Sequence, residues 1–120
     1  MKEDFAYKKL TVYSKAMDYV SLVYTLLKQF PKEEQYALCD QLRRAAVSIP
    51  SNIAEGMGRR SMKDRAHFLE IAYGSLLEVN CQLDIALRLG YISNDDRNAE
   101  SKACEELSKM LSGLRASILK

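Results

Sequence analysis

A chain of 120 residues with 48% apolar and 28% charged residues has enough material for one folded core, so the expectation is a single domain over residues 1–120, not disorder. The formal net charge is only +2, which excludes a strongly polycationic or acidic protein. No apolar run of about 18 residues could span a bilayer, and the charged amino terminus lacks the apolar stretch of a secretory signal, so a soluble cytoplasmic protein is expected.

Met1 to Leu10 reads as a polar lead-in with Phe5, Tyr7 and Leu10 as docking side chains. Thr11 is placed to cap a first helix that continues to about Gln29, with Ala16, Val20, Val23, Leu27 and Phe30 facing inward. Tyr13, Tyr19 and Tyr24 widen its apolar surface and keep hydroxyls, which suits the wet margin of a core or a subunit contact. Phe30-Pro31 marks a turn, with Pro31 at the first position of a second helix and Glu33 and Glu34 in its first turn.

The second helix carries its apolar pattern through Tyr36, Leu38, Leu42, Ala45, Ala46, Ile49 and Ile53. Pro50 lacks a backbone donor and its ring crowds the carbonyl of Ala46. The apolar phase persists on both sides of it, which favours a helix kinked near Pro50 over two helices broken between Ser48 and Ser51. Asn52 and Glu55 lie close to this stripe, either along the boundary between core and water or bonded to the third helix or another subunit. Gly56 and Gly58 loosen the far end, and Gly58 is the better terminator.

Ser61 followed by Asp64 opens a third helix running to about Leu89, with Phe68, Leu69, Ala72, Leu76, Val79, Leu83 and Ala86 or Leu87 inward. Gly74 and Ser75 in its middle suggest a tight helix crossing opposite Pro50. Gly90 closes this helix. Ser93 caps a fourth, with Asp95 and Asp96 in its first turn and Ala103, Leu107, Met110 or Leu111, Leu114 and Ile118 on one face. Long helices with short connections make an all-α, antiparallel up-down-up-down four-helix bundle.

Charge is uneven along the chain. Residues 41–65 hold Arg43, Arg44, Arg59, Arg60, Lys63 and Arg65 against Glu55 and Asp64, a local +4. Residues 1–40 sum to zero and residues 66–120 to −2. Such a cluster is either a solvated helix end or a surface that meets a phosphate backbone. No zinc finger, helix-turn-helix or single-strand aromatic motif accompanies it, so binding to RNA or DNA would be chiefly electrostatic.

Catalytic readings lack their parts. His67 with Glu70, and Glu55 with Glu78, supply no nucleophile, orienter and electrophilic pocket. A metal bundle would want Glu-x-x-His on two helices, and here the single histidine precedes its glutamate. Cys39, Cys81 and Cys104 are odd in number and widely spaced, which argues for small buried side chains rather than a disulfide framework or a zinc site. No enzyme activity, metal or cofactor is expected.

The segments QLRRAAVSIPSNIAEGMGRRS at 41–61, FLEIAYGSLLEVNCQL at 68–83 and LGYI at 89–92, with LTVYSKAMDYV at 10–20, resemble the four-helix-bundle family encoded by intervening sequences in bacterial 23S ribosomal RNA genes. That family carries an S23 ribosomal protein label, which does not make the chain a constitutive ribosomal component. It is similar to the accessory variability protein of diversity-generating retroelements. The resemblance implies a homo-oligomer, a ring-like pentamer, with a basic surface for RNA or DNA inherited by Arg43, Arg44, Arg59 and Arg60. It also implies structural or assembly roles for Asn52, Glu55, Gly74, Ser75 and Glu78. Tyr13 departs from the pattern, standing where many relatives have tryptophan. The other reading is a structural bundle that binds an unidentified protein partner and no nucleic acid.

Overall fold

A computed structural model describes residues 5–120, so the first four residues of the lead-in lie outside the described residues. Among the described residues, four α-helices account for most of the chain: α1 (Thr11–Leu27), α2 (Leu38–Met57), α3 (Met62–Arg88) and α4 (Asn94–Leu119). Single-turn 3-10 helices occupy Ala6–Lys9 and Lys32–Glu34. Each long helix packs against two neighbours, α1 on α2 and α4, and α3 on α2 and α4. This is the four-cornered packing of an up-down-up-down bundle. The long axis of 44 Å is close to the length of α3, roughly 40 Å at 1.5 Å per residue.

The helix ends show which local signals set the boundaries. Ser61 Oγ accepts from the Asp64 amide at 3.2 Å and Ser93 Oγ from the Asp96 amide at 3.1 Å, so both serine caps form as the sequence predicts. Gly90 adopts a φ of +78° after α3, the Tyr91 amide reaches back to Ala86 O at 2.9 Å and the Gly90 amide to Leu87 O at 3.0 Å. Only glycine takes that backbone cheaply, and the paired bonds satisfy two terminal carbonyls. The ring of Tyr91 then packs on Phe30, with centroids 5.3 Å apart, and its hydroxyl donates to Glu34 Oε2 at 2.8 Å.

Three expected boundaries are corrected. Thr11 does not cap α1; it is the first helical residue, and Leu10 occupies the cap position with no side-chain bond. The helix ends at Leu27, short of Gln29. Pro31 likewise does not open α2 but caps the 3-10 turn at Lys32–Glu34, and α2 starts at Leu38. Glu34 still serves the helix start, since its Oε1 accepts from the Leu38 amide at 3.3 Å. Tyr36, lying before the helix, is exposed instead of continuing the inward stripe.

Through Pro50, α2 runs without a break, which rules out two separate helices. Leu42, Ala45, Ala46, Ile49 and Ile53 are buried as expected and meet Ala16, Tyr19, Val23, Leu69, Leu76, Leu83, Leu107 and Leu111 in one core. The close approach of α2 to α3 lies at Gly56, where an added Cβ would sit 2.7 Å from Phe68 Cβ. Gly74, the expected crossing point, is exposed, and among the described residues a Cβ there would touch nothing within 4 Å.

Candidate functional site

The six basic residues of the 41–65 window fall into two groups. Arg43 and Arg44 lie near the start of α2, and Arg59, Arg60, Lys63 and Arg65 surround the α2–α3 turn. About 14 helical residues separate the groups, which is roughly 20 Å. The window is therefore two basic surfaces near opposite ends of one helix, not one patch.

Several of these cations already have intramolecular acceptors. Arg44 reaches Asp40 at 3.2 Å, and Arg43 donates to Gln35 O at 3.2 Å. At the turn, Arg59 pairs with Glu55 at 3.1 Å while its guanidinium lies 4.7 Å from the centre of the Phe68 ring. Arg65 Nε donates to Arg59 O at 2.6 Å, tying the start of α3 to the end of α2. Arg60 and Lys63 are exposed beside them. The turn thus engages Arg59 and Arg65 within the chain and carries Arg60 and Lys63 outward.

The polar positions of the resemblance separate in the same way. Asn52 is half-buried and donates to both Ser48 O and Ser48 Oγ at 2.8 Å, one turn around the Pro50 segment. Ser48 Oγ lies 2.9 Å from Ser75 Oγ, so Asn52 connects to α3 through Ser48 rather than directly. Glu55 and Glu78 are exposed, the first paired with Arg59 and the second accepting from Gln82 Nε2 at 3.2 Å. Gln82 also donates to Gln41 Oε1 at 3.1 Å across the helix pair. Ser48–Ser75 and Gln41–Gln82 thus bridge α2 and α3, with Asn52 joined through Ser48 and Glu78 through Gln82, whereas Gly74 makes no close approach among the described residues.

A second surface is apolar. The groove between α1 and α2 is lined by Tyr7, Tyr13, Met17, Val20, Val47 and Pro50, with a volume of about 380 Å³. Phe5, Met17, Tyr24 and Val47 are each more than two-fifths exposed.

Sequence reasoning missed the buried polar cluster between α1, α3 and α4. Glu100 is fully buried, and Tyr19 donates its hydroxyl to Glu100 Oε2 at 2.5 Å. Arg97 bonds to Glu100 Oε1, to Asp84 Oδ1 through Nε at 2.9 Å, and to Asn80 Oδ1 at 3.1 Å. Burial raises the Glu100 carboxyl above the usual carboxylate range, against the opposing pull of the Tyr19 hydrogen bond and the Arg97 charge. Burial, followed by the Glu100 charge, raises the Tyr19 hydroxyl. A signal was present: continuing the Leu111, Leu107, Cys104 stripe back by four places Glu100 on the core face.

Of the cysteines, Cys39 and Cys104 are buried and Cys81 is exposed, which corrects the expectation that all three pack inside. All three are free. Among the described residues, no group of three His, Cys, Asp or Glu side chains could hold a metal ion, and no helix is long and apolar enough to cross a membrane. His67 and Glu70 are exposed on α3, with Glu70 paired to Arg115 at 3.1 Å.

Residues 8–113 match the family model described as 23S rRNA-intervening sequence protein. No curated protein matches the chain. A solved structure of a protein with unknown function from the S23 ribosomal protein family of Bacteroides thetaiotaomicron VPI-5482 superposes with a TM-score of 0.80 and 23% sequence identity, covering 88% of this chain and 98% of that one. At that identity the likeness establishes the shared four-helix fold.

Proposed function

The chain belongs to the 23S rRNA-intervening sequence protein family, and from that premise we propose that it is a non-catalytic adaptor that self-associates and holds RNA or DNA through repeated basic turns. The observation that carries this reading is the exposed apolar α1–α2 groove, lined by Met17 and Val47 and continued by Phe5 beside Tyr7 and by Tyr24 beside Val47. Such side chains in one contiguous area favour a protein contact over water. A ring of copies, the pentamer that the family resemblance implies, would cover them.

Assembly also decides whether nucleic acid can be held. One turn offers Arg60 and Lys63 outward, with Arg59 and Arg65 engaged inside the chain. Two phosphate contacts give weak binding with a shallow salt dependence, whereas a closed oligomer multiplies the contacts at high effective concentration and steepens that dependence. Purified protein titrated with labelled RNA and DNA at several salt concentrations tests this. Binding should fall steeply with salt and be lost in Arg60→Glu/Lys63→Glu. Unchanged affinity in that folded double variant would remove the turn as the contact surface.

One observation favours a second reading. Arg43, Arg44 and Arg59 have carboxylates of their own chain within 4.0 Å, as expected for arginines that only solubilise a protein-binding bundle. A partner that survives nuclease treatment and is retained by the charge-reversed variant would establish it.

A further inference from the structure

The cluster around Glu100 sets one cation against two carboxylates, one of them fully buried. Among the described residues, Arg97 is the cation that contacts it, and it faces two carboxylates, Glu100 on its own helix and Asp84 on α3. Asp84 is 60% exposed in its side chain and keeps its water. Glu100 has none. If both ionise, one uncompensated charge remains, and a buried carboxylate resolves that cost by taking a proton instead of staying charged.

The neighbouring groups can accommodate that proton. From α1, the Tyr19 hydroxyl touches Oε2, and from α4, the Cys104 thiol lies within hydrogen-bonding reach of Tyr19. A protonated Glu100 would donate to the Tyr19 oxygen, and the Tyr19 hydroxyl would then turn to Cys104 Sγ. On the other side, Arg97 keeps Asp84 Oδ1, Asn80 Oδ1 and Ser101 Oγ as acceptors, so release from Glu100 leaves it bonded. Glu100, Tyr19 and Arg97 thus each keep a partner in both states.

We infer that Glu100 is an internal proton-binding site: the folded bundle takes up a proton there, and its release restores the Arg97 bond to Glu100 while the guanidinium stays on Asp84 and Asn80. The α1–α4 and α3–α4 seams would be firmest with Glu100 protonated and looser as pH rises. Folded Glu100 binds its proton more tightly than the unfolded chain does, so stability is fully present below the unfolded value of 4.5 and is lost as pH climbs through the folded value.

The test is the difference in urea midpoint between the natural protein and Glu100→Gln across the pH range. Expected is a constant difference below about pH 4.5, then a progressive fall of the natural protein relative to the variant as pH rises. A difference that stays flat, or moves the other way, overturns the inference. Should the variant fail to fold, carboxyl-carbon NMR of the natural protein decides. Glu100 must then titrate above the exposed glutamates, and titration with or below them overturns the inference.

Discussion

Gly56 of α2 stands so close to Phe68 of α3 that an added Cβ would lie 2.7 Å from the Phe68 Cβ. That contact fixes how α2 and α3 meet just before their turn, and thereby where Arg59 and Arg65 sit. Gly56→Ala should cost about 1–3 kcal/mol, because backbone-linked atoms on both sides must shift. Gly74→Ala, at an exposed helical site with nothing within 4 Å, should stabilise by about 0.5–1 kcal/mol. Urea denaturation of the two variants checks the opposite signs. A loss at Gly74 would mean that another copy covers it.

Removing the cation beside Glu100 should be costly. Arg97→Met leaves the buried carboxylate with Tyr19 as its remaining donor, and stability at neutral pH should fall by about 3 kcal/mol or more. The loss should shrink on acidification, since protonated Glu100 needs no cation. Tyr19→Phe removes a neutral donor and should cost less, about 1–3 kcal/mol. Equal losses for Arg97→Met at acid and neutral pH would contradict this assignment.

Thiol reactivity separates the three cysteines. Burial, then the Glu100 charge, pushes the Cys104 thiol up to about 11, and burial raises that of Cys39. Cys81 is exposed on α3. At neutral pH one thiol per native chain should react with a disulfide reagent in the fast phase, against three in urea, because reactivity follows thiolate fraction and access. Loss of the fast phase in Cys81→Ser identifies the site.

What can be read from the letters depends on how local the physics is. Ser61, Ser93 and Gly90 act within four residues of themselves, and each does what its position implies. The core stripe of α2 is equally legible, because its period survives Pro50. Thr11 misleads because adjacent residues compete for one cap position, which Leu10 takes, and Pro31 misleads because it opens a separate 3-10 turn at Lys32–Glu34, with α2 starting only at Leu38. Glu100 escapes such a reading because a charged residue on a core face is interpretable only once its partners are known, and Tyr19 lies 81 positions away. For the candidate site, composition locates the six cations but not their division, which follows from the length of α2 and the acceptors at Asp40 and Glu55.

Asn52 ties Ser48, and through it Ser75, into the turn around Pro50. Asn52→Ala should lower stability by about 1 kcal/mol through loss of the donor, and Asn52→Asp should lower it further by placing a carboxylate against two oxygens. Thermal denaturation of the pair checks the order. An aspartate variant more stable than the alanine one would contradict the role of Asn52 as a donor to both Ser48 oxygens.

Self-association is the claim on which the adaptor role rests, and sedimentation velocity over a wide concentration range measures it directly. A discrete oligomer that Met17→Glu/Val47→Glu converts to folded monomer is the expected result. A natural protein that remains monomeric at the highest concentration would contradict it.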